Sequence, residues 1–414
     1  MLAKCSAEGM EIEQCDVDTA FLYGKLEEEI YMELPEGLRE LLELAEAEGE
    51  DDVVCMLLQS LYGLKQASRV WNETIDKHLK SMGFEPADAD PCVYTRGEGE
   101  DECIVCLYVD DMLIASRQKA VIASVKAGIA EKFRIKDLGR ARFILGIEID
   151  YDMERRTLGI SQKAYTESSI KKFGQENAKP CLTPLEPGVQ LTKADEPQTE
   201  EDKAKMKSKP YRSLVGSLMY LACGTRPDIL VAVAKLSRFL ENPGEKHWDA
   251  GIKVVRYLLK TKDVGIVYDG LLGTQLEAYS DADWAGNRDD RRSTVALSST
   301  EAQYMALSDC VKECVWMRRL LKDIGAEQVG ATVIYEDNQS AMALVKNVGY
   351  QARTKHIDIR YHFIREKVVS NEVELEYVDA KNQLADFMTK GLSSKTLRYL
   401  MMRSNVGPKL ETSN

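Results

Sequence analysis

Across 414 residues, 44% are hydrophobic and 30% charged, with 11 prolines and 27 glycines, which is enough apolar material for packed cores and excludes fibrous or low-complexity chains. No apolar run approaches the ~20 residues of a membrane span, no basic-then-apolar leader opens the chain, and ten scattered cysteines fit reduced thiols. Membrane and secreted classes are thereby set aside, and an intracellular setting is expected, with cytoplasmic particle and nucleus both open. The net charge of −13 is concentrated in two acidic windows, 27–52 with twelve acids against Arg39 and 85–102 with seven against Arg96, so the remainder sits near +4. A polyanionic partner is therefore compatible with the local field despite the acidic total.

In chain order, Glu11 to Val17 alternates as a strand and turns at Tyr23-Gly24. Trp71, Ile75, Leu79 and Met82 recur at helical spacing. Cys103 to Val109 and Met112 to Ala115 have strand composition and are broken by Asp110-Asp111, and Phe143 to Ile149 is a further strand. Residues 178–210, with Pro180, Pro184, Pro187, Pro197 and Pro210, read as a connector. Helices follow over Tyr211 to Cys223, Pro227 to Glu241 and His247 to Thr261. From residue 275 the texture is α/β: strand Leu276 to Ser280 runs into Asp281 and a long helix spans Ser299 to Ile324. Strand Thr332 to Tyr335 then enters Asp337, a helix starts at Ser340, and Val373 to Val378 is the last strand.

Two groups of acids need a physical reason. Tyr108-Val109-Asp110-Asp111 offers no glycine for a two-residue hairpin turn, and adjacent carboxylates beside apolar strands repel and lose solvation unless a cation is shared. Asp16 ends an alternating strand in the same way. Such carboxylates suit Mg²⁺, two of which can activate a hydroxyl and stabilise a leaving oxygen. Asp281, Glu301, Asp337 and Asp386 lie 20, 36 and 49 residues apart, at strand ends and helix starts that an α/β sheet brings to one side. Exposed acidic turns and a first-turn acid favourable to the helix dipole are the bland alternatives for each residue alone.

Asp16-Val17-Asp18-Thr19-Ala20-Phe21-Leu22, Ser60-Leu61-Tyr62-Gly63-Leu64-Lys65-Gln66 and Leu107-Tyr108-Val109-Asp110-Asp111-Met112 resemble, in order, the reverse transcriptase of copia-type LTR-retrotransposon Pol polyproteins. Asp137-Leu138-Gly139 with Phe143-Ile144-Leu145-Gly146-Ile147 is similar to that family's late palm and primer-grip segment. Tyr279 to Gly286, Ala296 to Ala302, Glu336 to Ala341 and Ala385 to Lys390 resemble its RNase H domain. The resemblance implies an α+β fold: a polymerase palm over 1–152, a helical thumb and connection over 153–268, an α/β RNase H-like domain lacking a β-hairpin over 269–395, and a tail over 396–414.

It further implies catalytic, metal-binding carboxylates at Asp16, Asp110 and Asp111, and at Asp281, Glu301, Asp337 and Asp386. Phe21 would be the steric gate against a ribose 2′-hydroxyl, and Gly63, Lys65, Gln66 and Tyr108 would contact template and nucleotide. Two Mg²⁺ per site, an RNA template, a DNA primer, RNA–DNA hybrid and dNTPs are the implied ligands, with self-association as a further expectation.

Three departures accompany the resemblance. Ser68 stands where the family usually has Pro. Only fifteen residues precede Asp16, so the fingers that grip a triphosphate are expected to be missing and polymerase activity to be poor. Between Thr294 and Val295 a β-hairpin is absent, which leaves the first RNase H strand as an edge and the domain weakened. An inactive relic that at most binds nucleic acid or other Pol chains is the alternative. Among weaker signals, Cys103 and Cys106 face opposite sides of a strand and read as core rather than chelate. Arg353 to Arg365, with His356 and His362, read as a solvated basic helix face, and Lys203, Lys205, Lys207 and Lys209 as solubilising charges on the connector.

Overall fold

A computed structural model describes residues 1–38, 54–283, 296, 298–346 and 358–408. The chain divides into two compact units, Met10–Ala141 and a second formed by Met1–Gly9 with Arg142–Asn414.

The first unit is built on strands β1 (Glu11–Val17), β4 (Glu85–Pro86), β5 (Val93–Arg96), β6 (Cys103–Tyr108), β7 (Asp111–Ser116) and β8 (Ile135–Arg140), in the order β4-β5-β6-β7-β1-β8. A small separate pair is formed by β2 (Tyr31–Glu33) and β3 (Val54–Met56). All neighbours in the large sheet are antiparallel. Alternation in β6 and β7 puts Cys103, Val105, Leu107, Met112 and Ile114 into one core. Two helices fill its other side: Trp71, Ile75 and Leu79 from Ala67–Ser81, and Ile122, Val125 and Ile129 from Lys119–Ala130. Their i, i+3, i+4 spacing is what a helix needs to present one apolar stripe. Ser68 falls in the first turn of the Ala67–Ser81 helix, where Pro and Ser follow the same backbone. Residues 39–53, most of the first acidic window, lie outside the described residues.

In the second unit the expected single strand from Phe143 to Ile149 is a tight hairpin, β9 (Phe143–Ile144) and β10 (Ile147–Asp152), because Leu145 and Gly146 both take positive φ, 51° and 77°. β10 continues antiparallel through β11 (Thr157–Ser161) to β12 (Val264–Asp269), and β12 pairs with β16 (Val406–Pro408). The expected boundary at 152/153 thus falls in the β10–β11 turn. The expected tail over 396–414 takes in most of a helix, Ser394–Arg403, which begins before it, and strand β16. The opening helix Leu2–Glu8 packs on this sheet: Ser6 Oγ donates to Arg156 O at 2.6 Å and Tyr151 Oη to Cys5 O at 2.9 Å.

Helices Tyr211–Gly224, Leu230–Ser237 and Glu245–Lys260 form an apolar bundle, pinned by a buried pair, Arg226 with Asp228 at 2.7 Å. The connector is partly helical, over Glu200–Lys207, with Lys203 and Lys205 paired to Glu200 and Glu201.

Strands β13 (Glu277–Ser280), β14 (Thr332–Glu336) and β15 (Val373–Tyr377) form a parallel sheet in that order. Ile334, Val373 and Leu375 pack under Tyr304, Leu307, Val311, Cys314 and Val315 of the Ser299–Asp323 helix. Among the described residues β13 is an edge strand; residues 284–295, where the hairpin is absent from the sequence, and 347–357, with Arg353, Lys355 and His356 of the basic stretch, lie outside them.

Candidate active sites

In the first unit the carboxylates are set by strand register. Asp16, near the end of β1, lies directly opposite Asp111, the first residue of β7, and Val17 N–H donates to Asp110 O at 2.9 Å. A bulge in the β1–β8 pairing at Gln14/Cys15, just before Asp16, re-aims the strand end. The hairpin between β6 and β7 is a two-residue turn after all, because Val109 supplies the positive φ of 55° that glycine usually does. For a β-branched residue this is strained backbone, costing of order 1–3 kcal/mol, and such strain clusters at functional sites. Trp71 Nε1–H donates to Val109 O at 2.6 Å across the turn.

Burial first, then the charges of Asp110, Asp111 and Asp18, hold the Asp16 carboxyl above its ordinary range, with Lys136 pulling the other way. Asp111 accepts from Gln14 Nε2 at 3.1 Å. The oxygens of Asp16, Asp110 and Asp111 do not close into the tight three-carboxylate cluster found in the second unit.

Around them, Phe21 sits in a single 3₁₀ turn, Ala20–Tyr23, with its ring 4.8 Å from Tyr62. Burial, then Asp110 and Asp16, raises the Tyr62 hydroxyl's pKa, so Tyr62 shares their field. Gly63 adopts φ +97°, a conformation that asks for glycine. Lys65 is exposed, Gln66 opens the Ala67–Ser81 helix, and Tyr108, next to the turn, is 58% exposed.

In the second unit, parallel register does the assembly. Ser280 lies opposite Glu336, so Asp281 and Asp337 leave the same sheet end on adjacent strands. The short helix Asp386–Thr389 is held there by Gln383 Nε2, which donates to Ser280 O at 2.9 Å. Carboxylate oxygens of Asp281, Asp337 and Asp386 all lie within 4.8 Å of one another. Glu301, capped at its N–H by Ser298 Oγ at 3.2 Å, stands outside this group of three.

Lys390 bridges the cluster, Nζ 2.6 Å from Asp386 and 3.2 Å from Asp281. Burial tends to raise the Asp281 pKa, but hydrogen bonds from Thr389 and Gln303 and the charge of Lys390 outweigh it and leave the group below its ordinary value. Asp337 and Asp386 go the other way, raised mainly by burial and only partly offset by Lys390. Beneath them Glu336 is fully buried and its carboxyl is pushed up to about 8, first by burial and then, against the Asn338 N–H, by Asp337 and Asp281. Ser280 Oγ sits close enough to the Glu336 carboxyl to pull its pKa part of the way back down, and Gln303 Oε1 is buried without a hydrogen-bond partner.

Three converging carboxylates with the unpartnered Gln303 oxygen behind them fit a hard divalent cation, which takes oxygen ligands. Trp71, Gln303, Glu336 and Lys390 border these acids without any signal in the sequence that marks them. Trp71 fits the apolar period of its helix, and the other three lie within four residues of Glu301, Asp337 or Asp386 with no spacing signal of their own.

Residues 1–187 match the family model described as reverse transcriptase (RNA-dependent DNA polymerase). The chain is 43% identical over 94% of its length to the retrovirus-related Pol polyprotein from transposon TNT 1-94 of Nicotiana tabacum, and 34% identical over 92% to that from transposon RE2 of Arabidopsis thaliana. It spans 30% and 27% of those relatives. It is also 31% identical over 72% of its length to a putative transposon Ty5-1 protein of Saccharomyces cerevisiae, of which it covers 99%. A foamy viral protease–reverse transcriptase in complex with double-stranded DNA is similar at TM-score 0.47 and 10% identity, over 89% of this chain and 56% of that one. The family match places a reverse-transcriptase domain over residues 1–187. It belongs to the Pol proteins of copia-type retrotransposons. Among the described residues no helix is long and apolar enough to cross a membrane.

Proposed function

We propose that the chain carries two nucleic-acid chemistries: RNA-templated DNA synthesis in the first unit and hydrolysis of RNA within an RNA–DNA hybrid at the Asp281 cluster. The observation that carries the second reading is the convergence of Asp281, Asp337 and Asp386, brought together by a parallel sheet from positions up to 105 residues apart. The family supports the first, together with the placement of Asp16 opposite the Asp110-Asp111 turn.

In the first unit Asp16 and Asp110 would hold divalent ions, Mg²⁺ by the all-oxygen chemistry of the donors, while Asp111, bonded to Gln14, steadies the strand pair. In the second, Asp281, Asp337 and Asp386 would be the ligands. Glu301 would complete that set on substrate binding, from a helix start already fixed by its Ser298 cap. The bound ions would supply activation of the attacking oxygen and stabilisation of the leaving one. Phe21, backed by Tyr62, would present a flat ring to the incoming sugar, and Gly63, Lys65 and Gln66 would meet the template and phosphates.

Primer extension on an RNA template and strand-resolved cleavage of an RNA–DNA hybrid, both with Mg²⁺, test the two halves. Asp110→Asn should abolish extension and leave hybrid cleavage; Asp337→Asn should do the reverse. Loss of both by either variant, or of neither, contradicts the assignment.

A further inference from the structure

The turn that presents Asp110 is tied down on both of its carbonyls. Asp110 O accepts from Val17 on β1, the strand that carries Asp16, at 2.9 Å, and Val109 O accepts from the Trp71 indole at 2.6 Å. Val109 is the residue least suited to where it sits: a β-branched side chain at φ 55° gains by rotating toward negative φ, which swings the carbonyl that Trp71 holds. The indole has little freedom to follow. It is 2% exposed, meets Phe133 edge-on at 5.2 Å and lies 6.3 Å from Tyr23, which itself packs edge-on against Phe133 at 5.1 Å.

We infer that Trp71 is a positioning residue for the Asp110 carboxylate, keeping a strained turn in the one backbone state that points Asp110 at Asp16. The inference rests on the reading of Asp16 and Asp110 as an ion-binding pair, and concerns how that pair is held rather than what it catalyses. A core tryptophan that merely filled space would need the rings around it but not the N–H. Here the donor is aimed at the single carbonyl whose rotation would undo the turn.

Trp71→Phe keeps an aromatic ring in the box and removes the donor. In the full chain, with Asp281→Asn and Asp337→Asn added so that the second site does not contribute, Mn²⁺ affinity measured by calorimetry should fall at least fivefold on Trp71→Phe. Placing Val109→Gly in the same background removes the strain, since glycine accepts positive φ freely. The penalty of Trp71→Phe should then shrink to under twofold. Independently, in the ¹⁵N-indole-labelled parent chain the Trp71 N–H should exchange with water at least a hundredfold more slowly than a solvent-exposed indole.

Unchanged Mn²⁺ affinity in Trp71→Phe, an equal penalty with and without Val109→Gly, or a freely exchanging indole each overturns the inference. If Trp71→Phe does not fold, the indole proton shift of the parent chain decides: an N–H bonded to Val109 O lies downfield of an unbonded one, and an upfield position overturns the inference. Primer extension by the unmodified chain beside Asp110→Asn reports separately on the polymerase reading, so an inactive chain with the fivefold and twofold pattern intact would sink that reading and leave Trp71's role standing.

Discussion

Glu336→Gln isolates one buried charge. The side chain has no exposure, Oε1 accepts from Asn338 N–H at 3.0 Å, and burial outweighs that bond and the nearby Ser280 hydroxyl to push the carboxyl up to about 8 from an ordinary value of 4.5. A carboxyl whose folded value lies above its unfolded one favours the folded state while protonated. Its contribution is complete below about pH 4.5 and is lost as the pH rises through 8. At about 1.4 kcal/mol per pH unit across that window, the wild type should lose roughly 3–4 kcal/mol between pH 5 and pH 8 that the neutral amide does not lose. For a unit of this size that is on the order of 10 °C in Tm.

The assay is thermal unfolding of wild type and Glu336→Gln in EDTA at half-unit pH steps from 5 to 9. The two Tm curves should lie closest near pH 5 and separate steadily from there to pH 8, with the variant the more stable at pH 8. A constant difference across the range, or a variant less stable at pH 8, would refute the assignment of a neutral buried Glu336.

Three further perturbations follow from the same physics. Asp228→Asn leaves Arg226 buried opposite a neutral group, against its present contacts to Asp228 at 2.9 and 2.7 Å, and should cost about 3–5 kcal/mol in urea unfolding; a loss under 1 kcal/mol would contradict a fully desolvated pair. Gly146→Ala places a Cβ 2.4 Å from Tyr220 Oη at φ +77° and should destabilise by about 1–3 kcal/mol in the same assay, with Tyr220→Phe recovering part of it. Lys390→Gln removes the ammonium that bridges Asp281 and Asp386, so the metal-free protein should melt lower while calorimetry finds tighter Mn²⁺ binding; stability and affinity falling together would show that the lysine does not compete with the ion.

Much of this molecule is legible in its sequence because periodicity and burial coincide. Glu11 to Val17, the Trp71 helix, the two strands around Asp110 and the long helix from Ser299 fold where their apolar spacing places them. What spacing cannot reveal is backbone that departs from its residue's preference. Val109 makes a glycine-like turn without glycine, and Leu145 with Gly146 folds one expected strand into a hairpin. Long-range pairing is equally hidden: β16 reaches back to β12, and the Leu2–Glu8 helix leaves β1's unit for the β11–β12 sheet.

At the sites, the acids stand out as residues because unpaired charge beside apolar strands is costly. Their partners do not stand out, since Lys390, Gln303 and Glu336 acquire meaning only through the register of β13 on β14 and the helix at Asp386. Glu301 illustrates the converse, a residue placed in the set by resemblance whose carboxylate stands apart from the three that cluster.

Both proposed sites stand or fall on divalent ions binding where carboxylates from distant parts of the chain gather. A crystal of the full chain soaked in Mn²⁺, with anomalous difference density collected at the manganese edge, tests it without relying on turnover. Peaks bounded by Asp16 and Asp110 in one unit and by Asp281, Asp337 and Asp386 in the other are the predicted result. Saturating Mn²⁺ with density at neither place, or only at unrelated surface acids, would contradict it.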